Sequence, residues 1–187
     1  MKPVNLASVI IANKNLSTEN RDRLFNAWGI SPKPNELVSL ESLINGLSGL
    51  SPNSPDVVVS LLGGCFFGFI IPRISKEFDC LWIGADTIVN VELKSQDVGV
   101  AAIQKQLIQN QQYLRPLQKD ILSFTYDSST RNCYTIDSSN NLSTCTLTKI
   151  GKALQLVHEE VLYVDDIETL SLRRDTWYPH LTIQMRS

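Results

Sequence analysis

"EFDCLWIGADTIVNVELKS", residues 77–95, holds two short apolar runs around a turn, with Asp79, Glu92 and Lys94 set among residues that belong in a core. The turn "GADT" (84–87) has the Gly and Asp of a tight connection, so the runs read as the strands of an antiparallel hairpin. Ile83 then faces Ile88, and each step back along the first strand meets a step forward along the second. Asp79 falls opposite Glu92, and Glu77 opposite Lys94. Opposed side chains share a face, with Cβ atoms about 5 Å apart. Alternation places Glu77, Asp79, Glu92 and Lys94 together on one face. Phe78, Cys80, Trp82, Val89, Val91 and Leu93 fall on the other.

Two carboxylates held that close repel, and both stay ionised at low cost only with a cation between them. Oxygen ligands at this spacing suit Mg²⁺ or Mn²⁺, ions that keep several waters and take further ligands from a substrate phosphate. Lys94, two residues past Glu92, reaches the same place. An ammonium there can orient a nucleophilic water or offset charge developing on a phosphate. The plain alternative is a solvated sheet face with cross-strand ion pairs, because antiparallel sheets often face water on one side.

Outward from the hairpin, "CFFGFIIPRI" (65–74) reads as a preceding strand. "DVGVAAIQKQLIQNQQYLRPLQ" (97–118) reads as a long helix, with Val100, Ile103, Leu107, Leu114 and Leu117 on one apolar stripe. On that wheel Gln106, Asn110 and Tyr113 share a stripe bordering the apolar face, and Gln109 lies beside it. "SFTYD" and "CYTID" follow as strands around the turn "SSTRN". "TCTLTKI" comes after "SSNN", and "KALQLVHEEVL" (152–162) reads as a helix. Upstream, "STENRDRLFNAW" (17–28) opens like a helix, and "LVSLESLINGLSGL" (37–50) spaces its leucines helically. "SPKPNE" (31–36) and "SPNSP" (51–55) read as breaks, and residues 57–62 fit a short helix or a strand equally well. Helices, three strands, a long helix and further strands predict an α/β or α+β sandwich around one central sheet.

An acid, a strand–turn–strand, Glu-x-Lys and then a helix bearing Gln and Tyr resembles the PD-(D/E)XK nuclease superfamily. "EFD…VELK" supplies the acid and the Glu-x-Lys. "QLIQNQQYL" (106–114) is similar to the Gln-xxx-Tyr helix of the RecB-like branch, through Gln109 and Tyr113. "IPRISKEFDCLWIG…IVNVELKS" is similar to nuclease domains at the N-termini of bacterial helicase-like and phage-defence proteins. The resemblance spans roughly residues 65–136. Phe78 stands where the family name has Pro.

The resemblance implies a restriction-endonuclease-like central mixed sheet flanked by helices, and Mg²⁺- or Mn²⁺-dependent hydrolysis of phosphodiester bonds in DNA, in phage defence or DNA processing. Asp79 and Glu92 would hold the metal with the carbonyl of Leu93, and Lys94 would position the water. Gln106, Gln109 and Tyr113 would help place the substrate. The family's acid on an early helix has two matches, Glu41 and Glu36, of which Glu41 sits better within the helical pattern. The implied partners are DNA, a fused or separate helicase/ATPase, and further copies of the chain. The alternative on the same fold is a catalytically inactive nucleic-acid-binding or assembly module. The intact acid–acid–lysine set speaks against it, since a site freed from metal has no use for mutually repelling carboxylates.

With 187 residues, 43% hydrophobic and 19% charged, the chain fits a single domain over 1–187 with its core at about 37–157. Kinship with fused domains makes it a candidate fragment of a longer protein. Its 17 Lys and Arg against 19 Asp and Glu exclude whole-protein attraction to nucleic acid, so such binding must be local. The four cysteines form no CxxC pair and no His stands at metal-ligand spacing, which argues against structural zinc. Cys65 and Cys80 lie in apolar runs and read as buried free thiols. "LASVII" is too short for a secretory segment. "VVVSLLGGCFFGFIIP" (57–72) falls short of the roughly 18 residues of a membrane span. The expectation is a cytoplasmic protein without membrane contact. His158 and His180 are isolated and read as structural or surface residues. "GGCFFG" lacks the Gly-Lys-Ser/Thr of a P-loop. "LRR" (172–174), Lys149 and Lys152 read as ordinary surface charge before they read as phosphate contacts.

Overall fold

The computed structural model describes residues 1–50, 53, 55–71 and 75–158. In chain order they form α1 (Leu6–Asn15), α2 (Thr18–Trp28), α3 (Pro34–Leu50), α4 (Pro55–Leu61), β1 (Phe66–Ile71), β2 (Lys76–Ile83) and β3 (Thr87–Lys94). Then follow α5 (Val100–Leu114), a 3-10 turn (Arg115–Leu117), β4 (Asp120–Asp127), β5 (Asn132–Ile136), β6 (Leu142–Cys145) and α6 (Leu147–His158). The strands make one six-stranded sheet in the order β1-β2-β3-β4-β5-β6. Only β3 and β4 run parallel. A parallel step needs a crossover long enough to return the chain to its starting edge, and α5 supplies it. The protein is thus α/β, with a mixed sheet flanked by helices.

Local chemistry sets the helix ends. Asn5 caps α1 by accepting from the backbone N–H groups of Ala7 and Ser8, and Ser17 caps α2 by accepting from Asn20. Gly29, at φ 74°, closes α2 in a left-handed turn. Helix α3 starts on Pro34, inside the stretch that reads as a break, because proline's missing N–H costs nothing in a first turn. Residues 57–62, open on periodicity, lie mostly in α4.

The larger core layer packs α1, α3, α4 and α6 on one face of the sheet, around Trp82, Val89, Val91, Phe124 and Tyr126. Val4, Leu6, Val9 and Phe25 belong to this layer, and Val4 bridges to Cys65 through the main chain. The hydrophobic core therefore draws on residues well before 37. Trp82 is fully buried and donates its indole N–H to Gly63 O at 2.9 Å, so its polar end is satisfied. On the other face α5 buries Ile103, Leu107, Asn110 and Leu114. Val100, expected on that stripe, is 60% exposed at the helix start, and Leu117 lies in the 3-10 turn. No described helix is long and apolar enough to cross a membrane. His180 and residues 172–174 lie outside the described residues.

Candidate active site

The hairpin forms in the expected register, with Ile83 opposite Ile88 and Cys80 opposite Val91. Face alternation then departs from the simple pattern. Cys80 and Trp82 enter the layer under α3 and α6, whereas Phe78 packs with Phe69, Ile71, Leu81 and Ile83 in the other layer. Strand β1 makes the same change, since Phe67 joins the first layer and Phe69 the second. Phe67 pairs with Cys80 and Phe69 with Phe78, so Gly68 and Asp79 lie opposite each other where both strands change face. Gly68 has φ 69°, a conformation glycine adopts without steric cost, and it lets the strand turn over there.

This break sets the carboxylates. Gly84 donates to Thr87 O at the hairpin mouth. Continuing that alternation would send the N–H of Leu93 to the main chain of β2 at Phe78. Instead Leu93 N donates to Asp79 Oδ2 at 2.7 Å. Asp79 thus fills the gap where the β2–β3 ladder opens. Glu77, expected beside it, goes elsewhere: its carboxylate lies 3.4 Å from Lys33 Nζ, which also pairs with Glu36 at 2.7 Å. The Glu77–Lys94 pair does not form, because the turnover at Asp79 reverses the face of every β2 residue before it.

Glu92 points toward α5 and is 1% exposed. A buried carboxylate needs donors, and three amides supply them. Asn110 Nδ2 donates to Oε1 at 2.7 Å, Asn90 Nδ2 to Oε1 at 3.2 Å, and Gln106 Nε2 to Oε2. Asn110 also donates to Asn90 Oδ1 at 2.8 Å. Behind Glu92, in the parallel ladder, Asn90 faces Ser123 and Glu92 faces Thr125. Ser123 Oγ, Thr125 Oγ1 and Asn110 Oδ1 are buried without a hydrogen-bond partner among the described residues. A polar pocket of this kind is where buried water is normally found.

Burial pushes the Asp79 carboxyl up to about 7, and the nearby charge of Glu92 adds to the effect. The Leu93 N–H and the Lys94 charge pull the other way without cancelling it, and Glu36 pushes it up a little further. Among the described residues the Lys94 amino group has no hydrogen-bond or ion-pair partner. Its backbone is held firmly: Lys94 O accepts from Ser128 N at 2.8 Å, Ser128 Oγ at 3.0 Å and Ser39 Oγ at 3.3 Å.

The remaining expected residues divide. Gln106 is at the site, on Glu92. Gln109 is exposed, and Tyr113 packs beside Leu114 and Ile121 in the apolar layer. Glu41 is paired with Lys14 at 2.5 Å. It stands five residues beyond Glu36 on α3, about 140° around the helix. Glu36 is the α3 acid whose charge reaches Asp79. Sequence reasoning missed Asn90, and it set Asn110 on the same stripe as Gln106 without giving it a role. The signal for both was an amide at a core position, with Asn90 two residues before Glu92.

Could these residues hold a divalent ion? Among the described residues no three His, Cys, Asp or Glu side chains form a metal-holding group. Asp79 and Glu92 are acidic donors within electrostatic reach of each other, and so few protein ligands suit an ion that keeps most of its waters. Both Glu92 oxygens already accept from amides. Compared with known proteins, the chain matches no family model, and neither a curated protein nor a solved structure gives a significant match.

Proposed function

We propose that this chain is a metal-dependent nuclease domain that hydrolyses phosphodiester bonds in DNA, built on a restriction-endonuclease-like version of the α/β sandwich. The carrying observation is that Asp79, placed where the β2–β3 ladder opens, feels the charges of Glu92 and of Lys94, whose amino group has no partner among the described residues. The order α3, β1–β3, α5, β4, with its parallel β3–β4 step, agrees with the fold that the resemblance implies. Asp79, Glu92 and the Leu93 carbonyl would hold Mg²⁺ or Mn²⁺. The chemistry such an ion supplies when bound is polarisation of the phosphodiester and activation of water. Lys94, anchored through its carbonyl and free at its amino end, donates to a water or to a phosphate oxygen. Asn90, Asn110 and Gln106 fix the Glu92 carboxylate, so its geometry does not have to be assembled during reaction.

A second reading, a catalytically inactive nucleic-acid-binding module, draws on the amides that already occupy both Glu92 oxygens. Incubating supercoiled and linear DNA with Mg²⁺, Mn²⁺ or EDTA separates the two. The nuclease reading expects cleavage with either ion and none in EDTA. Undiminished cleavage in EDTA overturns the metal dependence, and DNA binding without cleavage under every condition supports the second reading.

A further inference from the structure

The four cysteines form two thiol pairs with opposite surroundings. Cys65 and Cys80 touch each other deep in the larger core layer, and both are 0% exposed. Burial pushes the Cys80 thiol well up, which keeps it protonated and inert. Cys133 and Cys145 instead face each other directly across the β5–β6 ladder. Strand β6 is the sheet edge, and it leads through Thr146 into the N-terminus of α6. Cys133 is buried, while Cys145 is only half-buried and so open to a small reagent.

We propose that Cys133 and Cys145 are a modification site, an oxidisable dithiol that peroxide converts into a cross-strand disulfide. Directly opposed strand residues have Cα atoms about 4.5–5.5 Å apart, within the range a disulfide spans. The two thiols lie close enough to shift each other's protonation. That proximity and the charge of Lys149 lower the Cys145 thiol, against the effect of its burial. The same proximity, with burial, pushes Cys133 up. Cys145, the more exposed of the two, is the attacking sulfur and the buried Cys133 the resolving one.

The chemistry balances in two steps. The Cys145 thiolate, with its proton, attacks hydrogen peroxide to give a sulfenic acid and one water. The Cys133 thiol then displaces the sulfenic hydroxyl, forming the S–S bond and a second water. Two electrons pass from the thiols to the peroxide. Opposed Cβ atoms in a ladder lie about 4.5–5.5 Å apart, against about 3.8 Å in a relaxed disulfide. The closed bond therefore strains the edge, and a strained disulfide is the easily reduced kind.

The test treats the native chain with a small excess of hydrogen peroxide, blocks remaining thiols with N-ethylmaleimide, and maps the peptides by mass spectrometry. The expected result is loss of two of the four free thiols, a peptide joining Cys133 to Cys145, and recovery of both thiols in dithiothreitol. Cys133→Ser should abolish the joined peptide and leave Cys145 as a trappable sulfenic acid. Four intact thiols, a Cys65–Cys80 link, or over-oxidation of Cys145 in the wild type without any link would each overturn the proposal. The readout is chemical, so it stands whether or not the chain cleaves DNA.

Discussion

Leu93 gives its backbone N–H to the carboxylate of Asp79, 2.7 Å away, where the β2 main chain would otherwise take it. An acidic side chain thereby becomes part of the sheet's own hydrogen bonding. Asp79 is held in place by the fold, while burial, and after it the nearby charge of Glu92, disfavours its ionised form.

That tension is readable in pH. The Asp79 carboxyl is raised to about 7 in the folded state, above its unfolded value. Between about pH 4 and 7 the folded chain holds a proton that the unfolded chain has lost, so stability falls as pH rises through this window. The slope is at most about 1.4 kcal/mol per pH unit. Asp79→Asn keeps an acceptor for Leu93 and removes the titration. Its Tm should exceed that of the wild type at pH 8 and stay flatter from pH 5 to 8. Mg²⁺ competes with the same proton, so it should raise the wild-type Tm more at pH 8 than at pH 5. Thermal melts across pH, with and without Mg²⁺, check both, and a wild-type stability that climbs from pH 5 to 8 would contradict them.

Lys94 offers a cleaner separation of fold from function. Its amino group has no partner among the described residues, so Lys94→Met should change stability by no more than about 0.5 kcal/mol. DNA cleavage should drop by roughly 10²–10⁴-fold. Parallel urea titrations and cleavage rates read the two effects, and a large stability loss would assign the lysine a structural role.

The polar floor beneath Glu92 separates a needed donor from an idle hydroxyl. Asn110→Ala removes a bond to Glu92 and one to Asn90, leaving buried acceptors short, at a cost of about 1–3 kcal/mol. Thr125→Val keeps the shape and deletes a buried hydroxyl without a partner among the described residues, so it should be neutral or stabilising. Should Thr125→Val destabilise as much as Asn110→Ala, a bound water on Thr125 is part of the fold. Urea denaturation of both variants gives the comparison.

How the chain meets DNA follows from its charge. Phosphate neutralisation by Lys and Arg supplies most non-specific affinity. Here bases number 17 against 19 acids, and the site itself is acidic. Binding to a short duplex should be weak without a divalent ion and strengthen when Ca²⁺ is added, the reverse of ordinary salt weakening. Anisotropy titrations against NaCl, with and without Ca²⁺, measure this. Tight, metal-independent binding with a steep salt slope would favour the binding-module reading.

The hairpin register was legible in the sequence because "GADT" fixes one pair, Ile83 with Ile88, and strand period fixes the others. Glu92 and Gln106 could be placed for the same reason, each lying on a regular element with a clear apolar stripe to count from. Strict alternation failed at Asp79, and with it the placement of Glu77 and Phe78. A turnover in mid-strand leaves the apolar pattern locally intact while exchanging the layers it points to. Gly68 was the one visible hint, as an isolated glycine within a strand. Glu36 ranked behind Glu41 because it follows two prolines, which read as a break although α3 begins on the second. The packing of the N-terminal helices on the sheet joins residues far apart in sequence, which periodicity does not address.

The agreement of strand order in the sheet with strand order in the chain also bears on how the site is assembled in time. The β2–β3 hairpin closes over a short loop, an event of microseconds, whereas the parallel β3–β4 pairing must wait for α5 to cross the sheet. Asp79 and Glu92 are thus expected to meet first in water, where charges about 4 Å apart repel by only about 1 kcal/mol. The penalty of low dielectric arrives later, together with Gln106 and Asn110, the groups on α5 that answer it. Temperature-jump and stopped-flow refolding of Glu92→Gln should together leave the early, microsecond phase at the wild-type rate and alter only the late, docking phase. The Glu92 carboxyl is in this way never buried before its donors reach it.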